Sequence, residues 1–511
     1  MFKLKQYRIW FLLGVLAILL ALPAGSLANN GFLTSEPPML TLDPDLPNGS
    51  RVKAIINVGE TVNGFLFEGL PDGIGLAPGP YKDTVNVFVA HEQTTVPFFG
   101  TADFQDASVS KFTLNTKKGD SMGAVLAAEV AIGPEEGYLR FCSASMAGPA
   151  EGFSSYTFFA NEEANDVVDV PAGAQYGPDP SVDPQRQAGY VVVLDAETGE
   201  FTQVAGMGRL NHENTIALPG WDQLAMLTTD DTFSGPSAQL YLYLAADEDA
   251  VWQDEGSLWA FQVTGTQDGP VDPGDAFNGA NDYLDLRPGD DFQGRFIPVP
   301  DDIADGTTSE LPQDALENWS NDNNVFQFIR LEDLAYDKNN PRVVYVADTG
   351  RTRVVPDPTT GRLTRGPGGT QGFADNGSVF KFVFNEDDPT KVDSFSVLAQ
   401  GDDPGQGDFV GFVSPDNMDT SPNSLMLQED ADNAKIWRYN LRNGKWSVVA
   451  TVNDPDGESS GIVDASDFFG PGYWLLDVQG HGLFVDEELQ SDGTLLKRES
   501  GQLLLMKIPG S

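Results

Sequence analysis

Short apolar runs fenced by Gly, Pro, Asn or Asp recur along almost the whole chain, and they limit the possible folds more tightly than any other feature. They occupy residues 85–90, 110–114, 156–160, 190–195, 224–228, 239–244, 258–264, 343–347, 378–384, 424–428, 434–439, 446–451, 474–478 and 502–508. Each is about 5 to 8 residues long and rich in Val, Ile, Leu, Phe and Tyr, which is the signature of a strand. Residues 435–439 alternate as Lys-Ile-Trp-Arg-Tyr, whereas 240–244 are apolar on both sides. That mixture predicts stacked sheets whose central strands are covered on both faces. Only short stretches such as 313–319 read as helix, and 54 Gly with 34 Pro supply the turns. Strands in such number with so little helix leave a β-propeller, paired sandwiches or a large barrel. Acidic and amide side chains recur at strand edges, where a propeller's inner loops converge on its axis, so the propeller is favoured. The expected fold is all-β, a propeller of about six four-stranded blades, although no strict repeat is visible. Residues 267–324 and 349–374 read as long surface-loop insertions.

Residues 1–28 read as a removable leader. Lys3, Lys5 and Arg8 form a basic start, residues 9–22 are apolar, and Ser26-Leu27-Ala28 offers small residues for cleavage before Asn29. The apolar run is shorter than the roughly 20 residues a spanning helix needs. The expectation is a Sec-type signal peptide, a single propeller domain over 29–511, a periplasmic or extracellular destination, and no stable membrane span after removal.

The full chain has 30 Lys+Arg against 76 Asp+Glu, a net charge of −46. A polyanionic nucleic acid is therefore excluded as a partner. One cysteine, Cys142, stands alone in a chain bound for an oxidising compartment. It has no internal disulfide partner, which leaves a buried inert thiol, an intermolecular bridge, a metal ligand or a nucleophile.

Three histidines are present, and two of them begin His-Glu pairs, His91-Glu92 and His212-Glu213. Neither continues into H-E-x-x-H, so a zincin is excluded. Gly457-Glu458-Ser459-Ser460-Gly461 has the spacing of a nucleophile elbow but lacks the apolar strand before it and the helix after it. There remain acidic and amide clusters at Asn161-Glu162-Glu163, Asp230-Asp231, Glu332-Asp333, Asp416-Asn417 and Glu429-Asp430. An isolated acidic pair is ordinarily a solvated turn. Several converging on one axis repel one another and call for cations, and hard oxygen ligands suit Ca²⁺.

These strings together resemble the PhoX-type alkaline phosphatases, calcium- and iron-dependent β-propeller enzymes. The resemblance runs through Leu70-Pro71-Asp72-Gly73-Ile74-Gly75, His91-Glu92, the segment from Cys142 to Glu163, Leu210-Asn211-His212-Glu213, Arg330-Leu331-Glu332-Asp333, Ser414-Pro415-Asp416-Asn417 and Asp477-Val478-Gln479-Gly480-His481-Gly482. It implies iron on Cys142, Glu213 and Glu332, with calcium on Glu92, Glu162, Glu163, Asp231 and Asp416. It also implies that Arg330 meets the phosphate of a small phosphorylated substrate, as a guanidinium fork is suited to do. Three departures stand out: the leader has no adjacent arginines, Ala90 occupies the family's usual Asn position, and residues 142–149 lack the Trp expected a few residues after the cysteine. The implied activity is that of a monomeric, exported phosphomonoesterase. The alternatives are a calcium-bound esterase, lactonase or phytase-like propeller, or a non-catalytic calcium-stabilised one.

Overall fold

The computed structural model describes residues 31–93, 101–102, 107–176, 184–232, 238–271, 282–359, 362–370, 372, 374–403, 411–489 and 495–511. The segment 1–28, expected as a leader, lies outside the described residues. Among those described, no helix is long and apolar enough to cross a membrane.

Strands dominate, and they form six successive four-stranded antiparallel units. Their innermost strands are Pro71–Pro78, Phe141–Ala147, His212–Leu218, Leu331–Asp337, Pro415–Thr420 and Glu458–Asp464. Each inner strand packs against the next, and the sixth packs against the first, so the units close into a propeller. We number the blades I to VI in this order. Blade VI takes its outer strand, Arg51–Asn57, from the start of the described chain, where it pairs with Leu495–Lys507 near the end. Likewise Leu40–Leu42 adds an edge to blade V by pairing with Lys445–Val452. Closing the ring with the two ends of one chain leaves few strand edges open for pairing elsewhere.

The segment expected as a loop at 267–324 carries ordered structure. Phe292–Pro298 pairs on one side with Ser257–Thr266 and on the other with Lys391–Gln400, so blades III and IV merge into one sheet of ten strands. Its alternating burial supplies the reason, since Phe292 and Phe296 point inward among Phe261, Phe382, Phe384 and Phe395. Each such ring contributes about 2 kcal/mol by burial. Further on, the expected helix spans Pro312–Asp322; it opens on a proline at its first turn and buries Leu316. The insertion at 349–374 contains a small hairpin, Val354–Pro356 with Leu363–Arg365.

Candidate metal centre

Every inner strand carries one extra residue near the same end. In pairing with the second strand of its blade, the ladder advances three residues on the inner strand against two on its neighbour, between Pro71 and Ile74, Phe141 and Ala144, His212 and Thr215, Leu331 and Leu334, Pro415 and Met418, and Ser460 and Val463. A bulge of this kind bends a strand and re-aims its side chains. The first bulged residues are Asp72, Cys142, Glu213, Glu332, Asp416 and Gly461. Blade VI has glycine there for a steric reason. Gly461 sits at φ +60°, and a Cβ on it would lie 2.2 Å from the carbonyl oxygen of Asp72.

A second ring comes from the residue that follows the register position of the bulge on each second strand. In blades I to V, His91, Glu162, Asp230, Asp348 and Glu429 hold that position and bond within the protein, whereas blade VI has Asp477 there with neither oxygen partnered among the described residues. His91 bonds the Gly69 carbonyl and Ser110 through its two nitrogens, and His212 does the same with Thr228 and the Gly208 carbonyl. Burial pushes both imidazoles down to about 4, so they are neutral. The neighbouring residues Glu92 and Glu163 instead enter the axis, which explains the His-Glu pair at 91–92 and the Glu-Glu pair at 162–163.

Three groups of ligand atoms result, each with all its atoms within 4.8 Å of one another: Asp72, Glu92 and Cys142; Cys142, Glu163 and Glu213; Glu213, Glu332 and Asp416. Cys142 is shared by the first two and Glu213 by the last two, so the groups form one continuous cluster. The Cys142 thiol lies 3.8 Å from Asp72, and Gln479 donates to Asp72 at 2.8 Å and to Glu92 at 3.4 Å.

The electrostatics are severe. Burial first, and the surrounding carboxylates second, push Asp72, Glu163, Glu213, Glu332 and Asp416 well above the usual carboxylate range. Burial and Glu213, Glu92, Glu163 and Asp72 likewise push the Cys142 thiol up. Both oxygens of Glu213, one of Asp72 and both of Asp477 have no hydrogen-bond partner among the described residues. The nearby cations are engaged already: Arg330 with Asp231, Arg140 with Asp166, and His481 with Glu458 and Glu499. Buried like charges without partners hold protons or external cations. The donors fit the second solution, because oxygen ligands in overlapping groups suit hard cations and one sulfur suits a softer one.

Of the residues picked from sequence, the structure brings Cys142, Glu213, Glu332, Glu92, Glu163 and Asp416 into this cluster. Glu162 is a correction. It accepts from Arg186 at 2.9 and 3.0 Å and from the backbone of Leu139, Gly189 and Tyr190, so its carboxylate is spent inside the blade. Asp231 is fully buried with both oxygens held by the Nε and Nη2 of Arg330, so it anchors that guanidinium and stands in none of the three ligand groups. Arg330 also lies 3.4 Å from Glu332, and 18% of its side chain stays exposed. Burial lowers its pKa, but Asp231 and Glu332 more than restore it, leaving it well above its ordinary value.

Three features escaped sequence reasoning. Asp72 and Asp477 lie in stretches that carry the resemblance, yet nothing local marked them as axial. His481 bridges Glu458 and Glu499; burial opposes its charge, but the two carboxylates push its pKa up to about 11, making it a fixed cation. Arg351 is pushed down by burial and then by the charges of Arg330, Arg365 and Arg353, against a smaller opposing effect of Asp231. Beneath the cluster, Asn214, Asp333 and Asn417, the second bulged residues of blades III to V, form a floor. Asn214 donates to Asp333, Met418 N to Asp333 at 2.7 Å, and Gly461 N to Asn417 at 3.0 Å.

Fold and site define a class: a β-propeller whose axis ends in an acid- and thiol-lined centre able to hold metal ions. A model of the family described as alkaline phosphatase PhoX matches residues 149–465, more than half of the chain. The chain belongs to the PhoX alkaline phosphatase family and is an alkaline phosphatase-like hydrolase. Glu163, Glu213, Arg330, Glu332 and Asp416 fall inside the match, while Asp72, Glu92 and Cys142 precede it. Among curated proteins, none matches. Solved structures similar to it include the GH93 α-L-arabinofuranosidase of Fusarium graminearum, at 9% identity over 85% of this chain and 92% of that one, TM-score 0.37. The α-L-arabinanase of Penicillium chrysogenum is similar at 8% identity over 90% and 98%, TM-score 0.40. The NanB sialidase of Streptococcus pneumoniae is similar at 8% identity over 86% and 68%, TM-score 0.38.

Proposed function

We propose that the chain is an exported, metal-dependent phosphomonoesterase that hydrolyses small phosphate monoesters at the axial centre. The observation that carries this reading is the continuous cluster of buried carboxylates around one thiol, with both oxygens of Glu213 and one of Asp72 unpartnered among the described residues and Arg330 beside Glu332. A phosphate monoester is an anion, and a chain of net charge −46 repels it unless the local field is reversed. Cys142 with Glu213 and Glu332 would hold iron; Asp72, Glu92, Glu163 and Asp416 would hold calcium. Cations bound there supply Lewis acidity at the phosphoryl oxygens and the charge that draws the ester in.

The chain's own residues do the rest. Asp231 fixes the guanidinium plane of Arg330, so the fork meets a phosphoryl group without losing further freedom. Arg351, close enough to Arg330 for the two charges to act on each other, adds positive charge that attracts the substrate. The hydrogen-bonded floor of Asn214, Asp333 and Asn417 fixes the bulges and hence the direction of the acids above it. Overall, water adds to phosphorus, the ester P–O bond breaks, and the alcohol and inorganic phosphate leave; no phosphorylated side chain is required.

The test is metal analysis of the purified chain alongside phosphate release from an aryl phosphate monoester. Calcium and iron both present, with turnover lost on chelation and in Cys142→Ala, support the reading. Full turnover in Cys142→Ala after exhaustive chelation overturns it.

A further inference from the structure

Away from the axial centre, the described residues hold a cavity of about 610 Å³ whose lining reverses the charge of the molecule. It is bounded by Arg51, Lys53, Lys118, Lys507, Tyr473 and the Phe469–Pro471 turn, with Asp120 as the one carboxylate in its wall. The whole chain has 76 acids to 30 bases, yet here four bases meet one acid. The cavity opens at the ends of blade VI strands remote from the axial centre. Six residues separate Tyr473 from Gln479, or about 20 Å along a strand.

The strand register makes the arrangement costly. Arg51 pairs directly with Lys507, and Lys507 pairs directly with Tyr473, so two cations stand side by side on neighbouring strands. Like charges directly opposite destabilise a sheet. Neither forms an ion pair with a carboxylate among the described residues. What offsets the repulsion is the Tyr473 ring, with the Lys507 ammonium 4.8 Å and the Arg51 guanidinium 5.4 Å from its centre, and its hydroxyl accepts from Arg51. Lys53, two residues along on the same face, donates to the backbone carbonyls of Asp120 at 2.6 Å and Met122 at 2.8 Å, which fix its ammonium without cancelling its charge. Burial lowers its pKa, Asp120 partly restores it, and the charge of Arg51 lowers it again. A local conflict retained in an otherwise self-consistent fold marks a place kept for something other than stability.

We propose that this cavity is a second binding site, for a small soluble polyvalent oxyanion of the phosphate or sulfate class. Carbonyl-held and ring-held cations present fixed donors to such an anion and gain from the neutralisation. The molecule's net charge opposes approach to an anionic membrane or a nucleic acid, which leaves a small ligand as the occupant.

The full, metal-loaded chain is titrated calorimetrically with inorganic phosphate at low ionic strength, beside the Lys118→Gln/Lys507→Gln variant. The variant should bind one equivalent less, with uptake at the axial centre unchanged. Without anion it should melt higher than the parent, because the like-charge pair is relieved, and it should lose the rise in melting temperature that phosphate gives the parent. Lys118 lies on a turn with no cross-strand partner, so Lys118→Gln alone provides a second arm, with affinity weakened about tenfold. Unchanged stoichiometry and affinity in both variants overturns the proposal. So does a lower melting point of the double variant without anion, which makes Lys507 structural. Binding to phosphatidylglycerol vesicles with no uptake of free phosphate also overturns it, in favour of a membrane surface.

Discussion

The two ends of the six inner strands carry similar side chains and treat them in opposite ways. At the end remote from the cluster, Lys338 reaches Asp419 of blade V at 3.4 Å and Asp464 of blade VI at 3.5 Å, beside an axial cavity of about 500 Å³. Backbone N–H groups complete the pair, from Asp464 to Asp419 at 2.7 Å and from Thr420 to Asp419 at 2.6 Å. At the bulged end, Glu213 and Asp477 find no partner among the described residues, and the acids around them repel one another. Acids matched by the protein's own cations and N–H groups specify packing. Acids left unmatched in the same barrel of strands are a demand for charge from outside, and that asymmetry separates site from scaffold better than residue type does.

Chelation should break the symmetry most. Turnover on a phosphate monoester should vanish, and the stripped chain should acquire a pH dependence of stability. The cluster acids have folded pKa values above their unfolded ones, and Asp333 in the floor is pushed up to about 7 by burial. The folded state then binds more protons than the unfolded state, so stability is fully present in acid and falls as pH rises from about 4 towards 7 and beyond. Urea unfolding at pH 5 and pH 8, with and without metal, reads this directly. A stripped chain more stable at pH 8 than at pH 5 would show that the acids are not uncompensated.

Next comes Arg330. Arg330→Ala should lower kcat/KM by about 100- to 1,000-fold, the range for removing one charge-stabilising donor. Arg330→Lys should recover only part, since an ammonium cannot present the fork. An equal loss in a variant at the paired end would erase the distinction drawn above.

The adjacent acids Glu162 and Glu163 sharpen it within a single blade. Glu162→Gln breaks a buried pair with Arg186 and should cost about 3 kcal/mol of stability while leaving metal content intact. Glu163→Gln should do the reverse, lowering the metal count and, in the stripped chain, relieving repulsion. Chemical denaturation and metal analysis of both variants check the register that separates them.

That register marks the limit of what could be read from sequence. Strand runs, turn residues and the absence of long helices were enough for an all-β propeller, and the string resemblance pointed to most of the cluster. The repeat itself stayed hidden because Pro-Asp-Gly, Phe-Cys-Ser, His-Glu-Asn, Leu-Glu-Asp and Pro-Asp-Asn have no residue common to all five and recur at irregular intervals. Their common property is geometric: one extra residue relative to the neighbouring strand turns the middle side chain towards the axis. Period-two alternation cannot reveal a bulge, because one inserted residue reverses every later assignment. For the same reason Glu162 could not be told from Glu163, and the strand Phe292–Pro298, whose two partners lie in different blades, passed for a loop.

Lys338→Met is the smallest change and the most exacting test. The ammonium keeps its charge against burial because Asp419 and Asp464 more than offset the lost hydration, and its pKa ends above the ordinary value. Its side chain is still 31% exposed, so solvent screens part of the attraction. Removing it leaves two carboxylates that retain their backbone donors, and the loss should be about 1 kcal/mol, shrinking as salt is added. Lys338→Met/Asp464→Asn should regain part of that loss, since one of the two facing charges is gone. Metal content and turnover should stay at parental values in both variants. Loss of turnover in Lys338→Met with its metals still bound would mean that the two ends are coupled through the inner strands, and compensation at one end could then not be treated as independent of demand at the other.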